Sequence, residues 1–121
     1  MHVILSIPKE FRGAITVSED SASPNQLNVD LKNDNVIVPI PPSGKLTVQS
    51  IPFTQEVPTR YEAQRSDGVI IPDGTIQKEQ PDKTYFYYMF VPNKNPRAEY
   101  FFVGTPAEKD RFLQKATRTA L

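Results

Sequence analysis

Proline placement constrains this chain more than any other feature. Twelve prolines and only five glycines are spread over 121 residues. A proline fixes φ and lacks the N–H that a helix interior or an inner strand requires, so it collects at strand ends, edges and loops. The apolar runs between the prolines are short and rich in β-branched residues. That combination predicts many short strands and leaves room for a helix only near the carboxyl end. Seven phenylalanines and five tyrosines argue against low-complexity disorder.

Several of these runs alternate with period two, the mark of a strand with one buried face. Val3 to Ile7 is an apolar strand stopped by Pro8. Ala14-Ile15-Thr16-Val17-Ser18 alternates, and residues 19–26 follow as a polar loop. Leu27 to Leu31 and Val36 to Ile40 read as a hairpin around Lys32-Asn33-Asp34-Asn35, with Pro39 marking an edge or a bulge. Lys45 to Gln49 is a further strand. Thr59 to Gln64 and Val69 to Ile71 flank the turn signal Ser66-Asp67-Gly68. Residues 72–84 form a long polar connection, a type of segment that is commonly functional or mobile.

Tyr85-Phe86-Tyr87-Tyr88-Met89-Phe90-Val91 and its return strand Tyr100-Phe101-Phe102-Val103 hold most of the aromatic side chains. Pro92 to Arg97 forms the tip between them. Both faces of this hairpin are apolar, so it belongs in the middle of the fold. Phe86 and Phe90 are assigned inward, and the Tyr85/Tyr87 face is assigned to the helix or to an interface. Thr105-Pro106-Ala107-Glu108 then signals a helix start, with Thr105 as cap, Pro106 at the first helical position and Glu108 completing a capping box. The helix is expected over about residues 106–117. Glu108 and Asp110 suit the positive end of its dipole, Lys115 and Arg118 the negative end. Phe112, Leu113 and Ala116 form its apolar stripe.

Three segments resemble a family of bacterial domains of unknown function. Ile7-Pro8-Lys9-Glu10-Phe11-Arg12-Gly13, continuing into the Ala14 strand, is similar to that family's opening, and Pro41-Pro42-Ser43-Gly44 to its Pro-x-Ser-Gly turn. Phe102-Val103-Gly104-Thr105 with Glu108 is similar to its carboxyl end. Residues 51–83 match nothing in the family. The resemblance implies a transthyretin-like β-sandwich, often carried on exported or lipid-anchored proteins, and supplies no catalytic residues. Its implied location is periplasmic or cell-surface if a signal segment has been removed, and cytoplasmic otherwise. Met1 to Pro8 does not read as a signal peptide, because its apolar run is short and no basic segment precedes it.

Composition excludes several chemistries. There is no cysteine, hence no disulfide scaffold, thiolate metal site or thiol nucleophile. Fourteen basic residues balance fourteen acidic ones, so the surplus that nucleic-acid binding draws on is missing. No stretch is long enough to span a membrane. His2, the sole histidine, reads as a solvated terminal residue. Asp30, Asn33, Asp34 and Asn35 gather oxygens, but they lack the glycine and distal glutamate of a calcium loop and fit turn chemistry. Asp67, Asp73, Glu79 and Asp82 are loop acids with no sign of the pairing that glycoside hydrolysis needs. Ser43-Gly44 lacks a nucleophile elbow.

The sharpest candidates are Tyr85, Tyr87, Tyr88 and Tyr100, with Tyr61, whose rings and hydroxyls could meet a sugar or a protein partner. The sequence therefore predicts one domain over residues 1–121. It would be a mainly β, transthyretin-like (immunoglobulin-like) antiparallel sandwich of seven or eight strands with one carboxyl-terminal helix. The expected role is a non-catalytic accessory domain that binds a protein or a cell-surface polymer, without metal or cofactor. The alternative is a carbohydrate-binding module using an exposed tyrosine face, and a small hydrolase ranks third.

Overall fold

The computed structural model describes residues 1–53, 59–89 and 97–120, with the backbone alone for 116–120. Among these residues nine strands form two sheets, followed by one helix. They are β1 (His2–Ile7), β2 (Gly13–Glu19), β3 (Val29–Asp30), β4 (Asn35–Pro39), β5 (Lys45–Val48), β6 (Arg60–Arg65), β7 (Ile70–Ile71), β8 (Tyr85–Met89), β9 (Ala98–Gly104) and α1 (Pro106–Ala120). The first sheet has the order β3-β4-β1-β6-β7, the second β5-β2-β9-β8. The tip at 90–96 and Phe90 lie outside the described residues, as do the side chains of Ala116 and Arg118.

Both sheets are mixed, which corrects the antiparallel expectation. β1 runs parallel to both of its neighbours, β4 and β6. β2 runs parallel to β5 and antiparallel to β9. Chain order explains this: β1 and β2 lie in different sheets, and so do β4 and β5. A connection that crosses between sheets does not reverse the chain within a sheet as a hairpin would. The aromatic hairpin is antiparallel as expected, with Phe86 opposite Val103 and Tyr88 opposite Phe101.

The two sheets face each other across one core. Val3, Leu5 and Ile7 of β1 meet Val36, Val38 and Ala63 from their own sheet, and Ile15, Val17, Val48, Phe86, Phe101 and Val103 from the other. Every second residue of β1 is buried, as the alternation requires. Phe86 is 1% exposed and stacks on Phe101 with ring centroids 5.5 Å apart. Burying a side chain of this size contributes about 1.5–3 kcal/mol.

The predicted strand Leu27–Leu31 shrinks to Val29–Asp30, paired with Val36 and Asn35. The Asp30 carboxylate accepts hydrogen bonds from the backbone N–H of Lys32 and Asn33, turning the chain at once. Leu31 is consequently 89% exposed. Before the strand, Asn25 is tied to the opposite sheet: its carbonyl accepts from Gln49 N, and its side chain donates to Thr47 O. Pro39 is tolerated because of its register. Ile40 N donates to Ser6 O, so the ring nitrogen of the preceding residue points away from β1, into the space past the end of β3.

The segments bearing the family resemblance converge at one pole. Gly44 adopts φ +77°, and a Cβ there would lie 2.5 Å from Ala14 O and 2.9 Å from the Phe11 ring. Phe11 thus needs a glycine in the Pro-Pro-Ser-Gly turn. Arg65 donates to the carbonyls of Pro8 and Phe11, and Arg12 pairs with Glu108 at the helix start. The helix is capped as predicted. Thr105 N donates to Glu108 Oε1 at 2.9 Å, and Glu108 N donates to Thr105 Oγ1 at 3.3 Å. Phe112 stacks on Phe102 at 5.1 Å on the outer face of the second sheet. Leu113, assigned to the same stripe, is 41% exposed, so Phe112 is the anchor. No helix among the described residues is long and apolar enough to cross a membrane.

Candidate functional site

β8 divides its tyrosines between its two faces, and each face builds a different polar cluster. Tyr85 and Tyr87 point outward from the second sheet. They form a second apolar cluster with Phe102, joined by Met89 and Phe112. Both are buried, Tyr85 at 1% and Tyr87 at 3% exposure, beneath the 72–84 connection and α1. The Tyr85 hydroxyl accepts from Gln80 N at 2.7 Å. The Tyr87 hydroxyl donates to Glu79 Oε2 at 2.5 Å. Lys109 of α1 stands 4.6 Å above the Tyr87 ring and 3.8 Å from Glu79. Burial first, then the Glu79 hydrogen bond, raises the Tyr87 phenol above its ordinary pKa. Gly74 lies flat on this ring: a Cβ there would sit 2.7 Å from Tyr87 Cζ and 3.0 Å from Tyr85 Cβ. The placement under the helix agrees with the sequence reading. As a ring surface open to solvent, however, Tyr85 and Tyr87 are unavailable.

Tyr88 points the other way, toward the end of the core where β9 begins. Its hydroxyl donates to Glu99 Oε2 at 2.6 Å. Glu99 lies on the core side of β9 and is only 5% exposed. Arg97 reaches Glu99 Oε1 at 3.2 Å and also donates to Ile51 O at 2.9 Å and to Phe53 O. Tyr61 of β6 completes the group, its ring 4.6 Å from that of Tyr88 and 5.4 Å from that of Phe101. Burial is the main cause of a phenol pKa raised far above normal at Tyr61, with the neighbouring Tyr88 second. Among the described residues its buried hydroxyl has no hydrogen-bond partner of good geometry. The result is a carboxylate with both oxygens engaged, held by a phenol and a guanidinium. That is the arrangement a buried charge requires. It ties the segment after β5 to β9.

Tyr100 shares the outer face with Phe102, opposite Thr16 and Met89, and is partly exposed. The candidate tyrosines are therefore not one surface: Tyr85 and Tyr87 are buried outward, Tyr88 and Tyr61 meet on the inner side, and Tyr100 lies at the margin. The sequence reading missed Glu99 and Arg97. The signal was present in β9, because Glu99 alternates in phase with Phe101 and Val103. A carboxylate on the core side of a strand asks for a partner.

The remaining candidates are spent locally. His2 is partly buried rather than solvated, at 26% side-chain exposure, and its Nε2 lies 3.9 Å from Glu62. Asp30 binds Asn33 through side chain and backbone, bonds that lower its pKa. Asp34 takes φ 51°, so this segment is a turn. Asp67 accepts from Val69 N, and Asp73 from Thr75 N and Oγ1. Ser43 Oγ bonds within its own turn. Among the described residues, no three His, Cys, Asp or Glu side chains gather as metal ligands.

An open groove of about 250 Å³ lies beside β5, lined by Gln26, Leu27, Gln49 and Ser50. Gln26 Nε2 donates to Gln49 Oε1 across it at 3.1 Å. Among the described residues no helix packs on the outer face of the five-stranded sheet. Register there sets Ile37 beside Ile4 and Ile4 beside Glu62, then Pro39 beside Ser6, Ser6 beside Gln64 and Gln64 beside Ile70. Ile37 and Ile70 are 59% and 56% exposed.

No family model and no curated protein matches the sequence. The fold has a likeness to a crystal structure from Bacillus anthracis described as a "Putative Lipoprotein". That likeness has a TM-score of 0.45 and 16% identity, and covers 94% of this chain and 92% of the other.

Proposed function

We propose that this chain is a non-catalytic interaction domain of a bacterial, lipoprotein-type protein. In this reading it is a transthyretin-like sandwich that presents one open sheet face to a protein partner at the cell envelope. One observation carries it. On the second sheet, α1 and the 72–84 connection cover the outward rings Tyr85, Tyr87 and Phe102, whereas the outer face of the first sheet leaves Ile37 and Ile70 exposed. Exposed aliphatic side chains framed by Glu62, Gln64 and Ser6 suit a protein surface of mixed polarity. The internal use of Glu99, Tyr88 and Arg97 supports the absence of catalysis, since a working acid or base must be within reach of a substrate.

A photo-crosslinking residue placed at Ile37, in the native organism, tests this. The expected result is one discrete adduct with a protein, lost when Ile70→Lys is added. A ladder of unrelated adducts, or none, refutes the reading. Carbohydrate binding remains the second reading, supported now by the amide-lined groove rather than by a tyrosine face. Specific glycan binding abolished by Gln49→Ala would replace the first reading with the second.

A further inference from the structure

The segment that hides Tyr85 and Tyr87 has almost no hold of its own. Residues 75–83 are all exposed, and their one large apolar side chain, Ile76, is 79% exposed. Internal support comes from Thr75, whose N and Oγ1 donate to Asp73 Oδ1 at 2.8 and 2.6 Å beside the root, and beyond it from Ile76 N to Asp73 O at 3.4 Å and Lys83 N to Gln80 O at 3.2 Å. Contact with the sheet and helix runs through the two phenol hydroxyls, at Gln80, at Glu79 and, longer, at Lys78 O, through the Glu79–Lys109 pair, and through Lys83 at 6.0 Å from the Tyr85 ring. At its root the segment is firm. Gly74 N donates to Phe86 O and Phe86 N to Pro72 O, both at 2.9 Å. A segment without buried apolar contacts, fixed at its root and pinned by a few polar groups, belongs to the low-stability end of a fold.

We infer that residues 75–83 are a strap that opens as a unit while the sandwich stays folded, with the Tyr87–Glu79 hydrogen bond as its latch. Opening frees the Tyr85 and Tyr87 hydroxyls and the ring edges beneath residues 75–83, with centroids 6.3 Å apart, beside the Lys109 ammonium, while Gly74 stays on the Tyr87 ring. The strap converts a sealed aromatic face into an intermittently accessible one. This is independent of the partner surface proposed above, which lies on the other sheet.

Amide exchange followed by NMR under native conditions tests the inference through the Gln80 amide, which is bonded to the Tyr85 hydroxyl. Its protection should fall at least a hundredfold below that of Leu5 and Phe101 in the core. Glu79→Gln should lower Gln80 protection by a further factor of about ten, the lower range for a hydrogen bond to a charged group, while Leu5 and Phe101 are unchanged. Tyr87→Phe, which keeps the ring, should act like Glu79→Gln. The inference is overturned if Gln80 exchanges only with the core, if Glu79→Gln shifts Gln80 and Leu5 equally, or if both variants leave Gln80 unaltered.

Discussion

Removing one hydroxyl at Tyr88 should cost this protein a substantial part of its stability. The Tyr88 phenol donates at 2.6 Å to Glu99, a carboxylate that is 5% exposed. Arg97, the other partner of Glu99, is shared with the carbonyls of Ile51 and Phe53, so it cannot fully replace the lost donor. A hydrogen bond to a buried charge contributes about 1.5–3 kcal/mol, and Tyr88→Phe should cost about 2. Glu99→Gln keeps the shape but removes the charge facing Arg97. It should cost about 2–3 kcal/mol, somewhat below the full penalty of an unpaired buried ion because the two carbonyls still hold the guanidinium. If the bond exists, the double variant should be less destabilised than the sum of the two by at least about 1 kcal/mol. Urea unfolding measures all three. With m about 1–3 kcal/mol/M, a 2 kcal/mol loss moves the midpoint by about 0.7–2 M without changing m. Tyr88→Phe within 0.5 kcal/mol of wild type (about the noise of a surface change), or strictly additive variants, would refute the cluster as drawn.

Two further outcomes follow from the opposite pole. Glu108 is held at a pKa of about 2, from an ordinary 4.5, mainly by the Thr105 N–H and then by Arg12. A depressed carboxylate stabilises the fold above its unfolded pKa, and that stability is lost as pH falls from about 4.5 toward 2. Glu108 is 37% exposed, so solvent screening reduces the effect to about 1 kcal/mol. Glu108→Gln should flatten this limb of the acid-unfolding curve, and an unchanged limb would contradict the assignment. Gly44→Ala combines a left-handed φ with a Cβ at 2.5 Å from a backbone oxygen. It should cost more than about 2 kcal/mol, in thermal unfolding, whereas Gly68→Ala, strained in φ but with open space around it, should cost about 1–2.

Alternation and caps carried most of the architecture into the sequence. The period-two runs place β1, β2, β4, β5 and the aromatic hairpin, and Thr105-Pro106-Ala107-Glu108 marks the helix start. Strand direction is not written in such patterns, because a half-buried strand shows the same alternation beside a parallel or an antiparallel neighbour. The mixed sheets therefore had no local signal. The tyrosines show the same limit from another side. Alternation separates Tyr85 and Tyr87 from Tyr88, but it cannot say what covers each face. The 72–84 connection fell over Tyr87 because Gly74 fits against the ring, a contact between residues thirteen positions apart. Glu99 was legible in principle, since its phase with Phe101 and Val103 places a charge among core positions.

The margins of the five-stranded sheet bear on how a partner can be engaged. β3 and β7 are two residues long, and where β4 extends past β3 it ends in Pro39, whose nitrogen offers no donor. An incoming peptide would find too short a ladder to lengthen the sheet, so strand addition and fibril-like stacking are both disfavoured there. A partner bound to this face as we propose would dock flat against the pleat, through side chains such as those of Ile37 and Glu62 rather than through the backbone.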